Sequence, residues 1–330
     1  MGEGGGQVLR TSLALSICLG KPLKIYNVRA NRKKPGLMRQ HLTAVNAAAE
    51  ICNAEVIGAE LHSQHIEFSP GKVKGSQYHF AIGTAGSTTL VLQTILLPLL
   101  FADRPSKVTI EGGTHNPLAP PFDFLQLSYL PLLERMGARI KVKLVRPGFF
   151  PIGEGGIELQ IQPVDKIKPI SITERGAEFS KEVQILLAQL PHHIGEREAK
   201  IIERRLAWPT DCISIDHNDD TPSPGNAVSI VINYKNITVV FSSIGQKGIR
   251  AETVANRVVD EVQYYLSTDA PVDKHLADQL LLPMALAGGG DFVTTTPTQH
   301  TLTNIAVIEK FTDRRFTVEQ INHKIFRISL

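Results

Sequence analysis

One order of secondary-structure signals, helix–strand–helix–strand–strand, can be read three times along this chain, and that repetition constrains the fold more than any other feature. In the first copy "GQVLRTSLALSICLG" carries helical apolar spacing and "LKIYNV" reads as a strand. "GLMRQHLTAVNAAAEIC" is then a helix, and "AEVIGAE" with "HIEFSP" supplies two strands. The second copy runs "GSTTLVLQTILLPLLF", "KVTIEG", "FDFLQLSYLPLLERMG", "ARIKVKLV" and "IELQIQP". The third runs "DKHLADQLLLPMALAGG", "DFVTTT", "LTNIAVIEKF", "RFTVEQI" and "KIFRISL". The first two copies are offset by roughly eighty residues, beyond the usual range of stacked solenoid repeats, so the copies are small domain-like units.

The third copy is delayed by a block with its own elements. "AVSIVINY" and "ITVVFSSIG" form a hairpin around Lys235-Asn236, and "AETVANRVVDEVQYYL" has apolar residues at three- and four-residue intervals. The expected architecture is α/β (α+β): three repeated two-helix/β-sheet units in residues 1–169 and 269–330, with a smaller α/β domain inserted at 170–268.

Bulk properties exclude several classes. At 330 residues, with 42% apolar and 20% charged positions, the composition is that of an ordinary globular protein. A net charge of +3 does not by itself mark a nucleic-acid binder, so any basic site must be local. Cys18, Cys52 and Cys212 lie far apart without zinc spacing, which suits a reducing, cytoplasmic setting. The most apolar run, "TTLVLQTILLPLLF", is too short to span a bilayer, so no membrane partner is expected, and no signal peptide opens the chain.

If the copies pack with approximate threefold symmetry, their loops between strand and second helix converge. These are "RANRKKPG", "GGTHNPLAPPFD" and "TPTQHTLT", which would place a basic loop near His115 and His300. Arg29, Arg32, Lys33, Lys34 and Arg39, followed by Gln40 and His41, lead into a helix start. Guanidinium forks and free peptide N–H groups together make an anion site there. "GEGGGQ" and "GTAGSTT" open equivalent helices, and neither is a P-loop. His275, Asp278 and Gln279 fall on one helical face. His300 sits in a Thr/Pro-rich loop, and its surroundings alone leave it as a solvated residue, a ligand, an acid/base or a nucleophile. His192 and His193 are adjacent and point differently, so they read as structural or surface residues rather than a metal pair.

Six blocks, "GEGGGQVLRTSLALS", "RKKPGLMRQHLTAVNAAAEIC", "GTAGSTTLVLQTILLPLLFAD", "GGTHNPLAPPFDF", "HLADQLLLPMALAG" and "HTLTNIAVIEKF", resemble the RNA 3′-terminal phosphate cyclases, in order and over nearly the whole chain. The resemblance implies ATP-dependent conversion of an RNA 3′-terminal phosphate into a 2′,3′-cyclic phosphodiester, with a divalent metal ion (Mg2+ or Mn2+) whose ligands stay unassigned. It implies that His300 is the nucleophile that takes AMP. Gln93, His275, Leu276, Ala277, Asp278 and Gln279, with Glu3 and Gln7, match the nucleotide site, and Pro120 and Phe124 match positions packed around it. Arg10, Arg29, Arg32, Arg39, Gln40 and His41 match positions near the reacting phosphates.

Two departures qualify the match. Relatives begin with a short apolar strand ahead of "GEGGG", whereas this sequence starts at Met1-Gly2, which predicts a frayed start and displaced Glu3 and Gln7. "GFFPIGEGG" places Glu154 within the family's glycine run. Two other classes compete. A non-catalytic ribosome-assembly scaffold would lack the nucleophilic histidine, and an enolpyruvyl transferase shares a repeated fold without needing a histidine in this loop. The oligomeric state is open.

Overall fold

The computed structural model describes residues 5–330, so Glu3 lies outside the described residues. The first copy comprises α1 (Gly6–Leu19), β1 (Leu23–Tyr26), α2 (Arg39–Cys52), β2 (Glu55–Ile57) and β3 (His65–Ser69). The second adds a strand the apolar pattern did not announce, β4 (Gln77–Ala81). It is followed by α3 (Thr88–Leu99), β5 (Ser106–Gly112), α4 (Phe122–Phe124), α5 (Leu130–Arg135), β6 (Arg139–Arg146) and β7 (Gly155–Gln162). A π-helical segment, Leu125–Tyr129, joins α4 to α5.

After β8 (Ile170–Ile172) come β9 (Glu178–Ala188), α6 (His193–Leu206), β10 (Ile213–His217), β11 (Gly225–Tyr234), β12 (Thr238–Ile244) and α7 (Ala251–Leu266). The third copy is α8 (Lys274–Ala287), β13 (Gly290–Thr295), α9 (Gln299–Phe311), β14 (Thr317–Gln320) and β15 (Ile325–Ser329). The chain is therefore a mixed α/β protein of several small sheets.

Sheet order exposes the repeat. The second copy is ordered β4-β5-β7-β6 and the third β8-β13-β15-β14. In both, the outer strand runs parallel to its neighbour, Gln77 opposite Lys107 and Ile170 opposite Gly290. Ile170–Ile172 thus pairs within the third sheet, not with the block that follows it. The first sheet is ordered β1-β3-β2 among the described residues. A fourth sheet, β10-β9-β11-β12, belongs to the intervening block, whose α6 and α7 pack together.

Helices α1, α2, α3 and α9 bury their apolar faces against one another. Leu9, Leu13, Val45, Ile51, Leu92, Ile95 and Ile308 are almost wholly sealed from solvent. Local signals set the helix ends. Ser87 caps α3 by accepting from Leu90 N–H, and Asp273 caps α8 by accepting from His275 and Leu276 N–H at 2.7 and 3.2 Å. Gly20 ends α1 in the left-handed region (φ 62°), where a side chain would be strained. Thr298 caps α9 through Thr301 N–H at 3.2 Å. That cap starts the helix earlier than the apolar periodicity suggests and moves His300 from a loop into the first helical turn.

One buried acid predicts a pH dependence of stability. Glu198 on α6 is fully buried; one carboxyl oxygen accepts from Asn226 Nδ2 at 2.9 Å and the other has no partner. Burial pushes this carboxyl up to about 7 from 4.5, only partly opposed by Asn226 and Arg197. The folded state then keeps a proton that the unfolded chain releases, so stability falls as pH rises from 4.5 through about 7. Glu198→Gln is expected to flatten that slope and to stabilise the protein by up to about 3 kcal/mol at pH 8. Urea titrations at pH 5.5 and 8 check this, and equal pH slopes for the two proteins would refute it.

Candidate active site

α1 lies where α3, α8 and α9 can all reach its amino-terminal turns. Gln7, Arg10 and Thr11 are spaced at three and four residues, so they share one face of α1. Gln7 Nε2 donates to Asp278 Oδ1 on α8, and Gln7 Oε1 lies 2.9 Å from His300 Nδ1 on α9. Asn304 Nδ2, one turn beyond His300, donates to Asp278 Oδ1 at 3.2 Å and to the Asp278 carbonyl at 3.0 Å. Its Oδ1 accepts from Thr11 Oγ1 at 2.8 Å. Gln279 Nε2 donates to Asp278 Oδ2 at 3.2 Å, and Gln93 Nε2 donates to Gln279 Oε1. Arg10 Nε completes the set by donating to Gln93 Oε1 at 3.3 Å.

With the Gln7 amide nitrogen given to Asp278, its oxygen faces His300, an arrangement that suits a proton on Nδ1 and holds the ring by that nitrogen. His300 is exposed and stands in the first turn of a 13-residue helix, where unshared peptide N–H groups favour an incoming phosphate.

Burial dominates the charges behind it. It pushes the Asp278 carboxyl above the usual carboxylate range, against the opposing pull of His300, Arg10, Gln7 and Asn304. It also lowers Arg10 to about 10, with Asp278 acting in the opposite sense, and raises the Tyr129 phenol. These groups line a narrow cleft of about 40 Å³. Thr11, Tyr129 and Asn304 belong to it although the sequence reading passed over them. For Thr11 and Asn304 the available signal was a one-turn offset from Gln7 and His300.

The basic loop meets the same end of α1 through glycine. A Cβ at Gly6 would stand 2.6 Å from His41 Nε2 and 3.0 Å from Arg10, and one at Gly5 would stand 3.1 Å from Arg32. At Gly6 a side chain would displace His41, so glycine there permits the close approach. Burial, with Arg29, Arg10 and Arg32 nearby, drives His41 down to about 3, so it is a neutral imidazole beside three guanidiniums. Arg39 is exposed at the first position of α2. Arg29 instead braces its own loop, donating to the Lys34 and Gly36 carbonyls at 3.0 and 2.8 Å. Gln40 Oε1 accepts from Ser87 N–H at 2.6 Å and anchors the start of α3.

Other expectations from sequence land elsewhere. Gln7 is not displaced: it is only 9% exposed and holds both Asp278 and His300. His115 does not face His300. It is buried against Phe149, with Nδ1 2.8 Å from Thr114 Oγ1 and Nε2 3.7 Å from Asp123. Leu276 and Ala277 are fully buried, which is where apolar side chains on the inner face of α8 must go. His275 turns towards Glu261 on α7, 3.3 Å away, rather than joining Asp278, and Glu261 is one wall of a cavity of about 270 Å³. Phe124 is buried in the core, and the Pro120 carbonyl accepts from Thr89 Oγ1 at 2.6 Å. His192 stacks on His217, their facing nitrogens 2.9 Å apart. Glu154 takes a left-handed backbone (φ 50°) in its hairpin.

A helix-borne imidazole with one nitrogen held, in one cluster with a guanidinium and a helix start, is an arrangement suited to handling phosphates. The chain belongs to the RNA 3′-terminal phosphate cyclase family, whose family model matches residues 1–318. It is 48% identical over 327 residues to the RNA 3′-terminal phosphate cyclase of Ectopseudomonas mendocina, covering 99% of this chain and 96% of that one. It is 49% identical over 325 residues to that of Pseudomonas fluorescens, covering 98% and 95%. A solved enolpyruvyl transferase from Streptomyces tendae aligns at 10% identity with a TM-score of 0.38, over 99% of this chain and 47% of its own. That likeness carries no argument about fold or chemistry. The family is one of ATP-dependent enzymes that cyclise RNA 3′-terminal phosphates, and no helix among the described residues is long and apolar enough to cross a membrane.

Proposed function

We infer that this chain cyclises RNA 3′-terminal phosphates through AMP carried on His300. The observation that supports this reading most is the Asp278–Gln7–His300 relay, which holds the imidazole by Nδ1 at a helix start. Nε2 attacks the α-phosphorus of ATP, an N–P bond forms and diphosphate leaves. Gln7 keeps the Nδ1 proton in place as charge develops on the ring. The RNA 3′-phosphate oxygen then displaces His300 from phosphorus, giving an RNA adenylate and restoring the imidazole. The neighbouring 2′-OH attacks the terminal phosphorus, loses its proton and expels AMP. Nucleophile and electrophile share one ribose, so closure needs little beyond positioning.

The nucleotide lies, on this reading, along the α8 face that runs from Gln279 and Asp278 back to His275, with Gln93 contributing from α3. Arg32, Arg39 and the neutral His41 take the RNA phosphate. Arg29 and Gln40 act through the loops they hold. A Mg2+ or Mn2+ ion would offset phosphate charge when bound. Both Asp278 oxygens already accept amide hydrogens, so on this reading the ion is held chiefly by the nucleotide phosphates.

This assignment separates the two half-reactions. Arg32→Ala and Arg39→Ala are expected to lower cyclisation of a 3′-phosphorylated oligoribonucleotide at least tenfold. Formation of enzyme–AMP from ATP alone should change less than about threefold, because that step lacks RNA. Equal losses in both steps would assign these arginines to the nucleotide.

A further inference from the structure

Large apolar side chains stand in solvent on two adjoining loops. Leu118 is 93% exposed, Phe150 75% and Ile152 44%. Both loops pack on residues 83–87: Asn116 Nδ2 donates to the Ala85 carbonyl at 2.7 Å, and a Cβ at Gly153 would stand 2.7 Å from Ala85 Cα. The other side of that segment meets the start of α2. Ser87 N–H donates to Gln40 Oε1, and a Cβ at Gly86 would stand 3.0 Å from Gln40 Cβ. Arg32 and His41 flank the same helix start. Phe150 precedes the Gly153 contact by only three residues, at most about 10 Å of chain.

The loop is held in place. Phe149 is buried and stacked on His115 with ring centroids 5.3 Å apart, and Ile152 N–H donates to Ser223 Oγ at 3.2 Å. The backbone that presents the exposed Phe150 ring is therefore held on both sides, which lowers the ordering cost when a flat partner arrives. A 3′-terminal phosphate comes with a base attached, and single-stranded RNA is held by aromatic stacking beside basic groups.

We propose that Phe150, flanked by Leu118 and Ile152, is a stacking platform for the bases at the RNA 3′ end whose phosphate lies at Arg32 and His41. The proposal rests on the function inferred above. It accounts for apolar exposure on loops that share residues 83–87 as a support with the start of α2, where the inferred phosphate site lies.

The test uses full-length Phe150→Ala and Phe150→Trp proteins and 3′-phosphorylated oligoribonucleotides with normal or abasic 3′-proximal nucleotides. Affinity is read by fluorescence anisotropy, and enzyme–AMP formation is measured without RNA. Phe150→Ala should weaken binding of the normal oligonucleotide about tenfold, leave enzyme–AMP formation unchanged and bind the abasic RNA no worse than wild type does. Phe150→Trp should restore the affinity. Unchanged RNA affinity in Phe150→Ala would overturn the platform, as would an equal loss on normal and abasic RNA. Loss of a protein partner with RNA binding intact would overturn it too. Absence of enzyme–AMP in the wild type would overturn the inferred reaction instead, while the anisotropy comparison would still decide the platform.

Discussion

His300→Ala is expected to abolish covalent attachment of AMP and with it all cyclisation, while the fold survives. The side chain is exposed in the first turn of α9, so its removal opens no core cavity. Among the described contacts the loss is the hydrogen bond to Gln7, worth about 1 kcal/mol. What is lost chemically, on the proposed mechanism, is the nitrogen that forms the N–P bond. Circular dichroism and thermal melting should be near wild type, with label transfer from α-labelled ATP at background. Transfer at the wild-type level would remove His300 from the mechanism.

Asp278→Ala should have the second largest effect, through two routes at once. Gln7, Gln279 and Asn304 all donate to this carboxylate, and Arg10 interacts with it through space. Removing it strands the Gln7 and Gln279 amide donors, takes one of two acceptors from Asn304 and removes the charge facing Arg10, at a cost of about 3 kcal/mol in stability. It also frees Gln7 to rotate, so the imidazole is no longer held by Nδ1. Loss of such an orienting partner lowers activity by about 100-fold. Asp278→Asn, which keeps the shape, should recover most of the stability and little of the adenylylation rate. Full recovery of both would show that the carboxylate charge is not what orients Gln7.

The helices that bury a regular stripe, α1, α3 and α7, were legible because apolar residues recur every three or four positions. α6 was not: of its fourteen residues only Gly195, Glu198 and Ile202 are buried, too few to set a period. Tyr78 and Phe80 do alternate inward along β4, but five residues among polar neighbours gave a weak signal. The π turn at Leu125–Tyr129 keeps an apolar face much like that of an α-helix and so left no mark. His300 was misplaced into a loop because the first turn of α9, Gln299-His300-Thr301, is polar, and the start lay in the Thr298 cap. At the site, the resemblance named Gln7, Asp278 and His300 individually. Their connection spans 271 positions between Gln7 and Asp278, and no local pattern carries information across that distance. Arg29, by contrast, sits in an inviting basic cluster, but its left-handed backbone (φ 55°) turns it to its own loop carbonyls.

The central claim is that His300 Nε2 carries AMP. The measurement that bears on it most directly is to incubate wild-type protein with α-labelled ATP in the absence of RNA and map the modified peptide by mass spectrometry. An acid-labile, alkali-stable adenylate on His300, discharged when 3′-phosphorylated RNA is added, is the predicted result. A stable label on a lysine, or cyclisation of RNA with no labelled enzyme at any time, would contradict it.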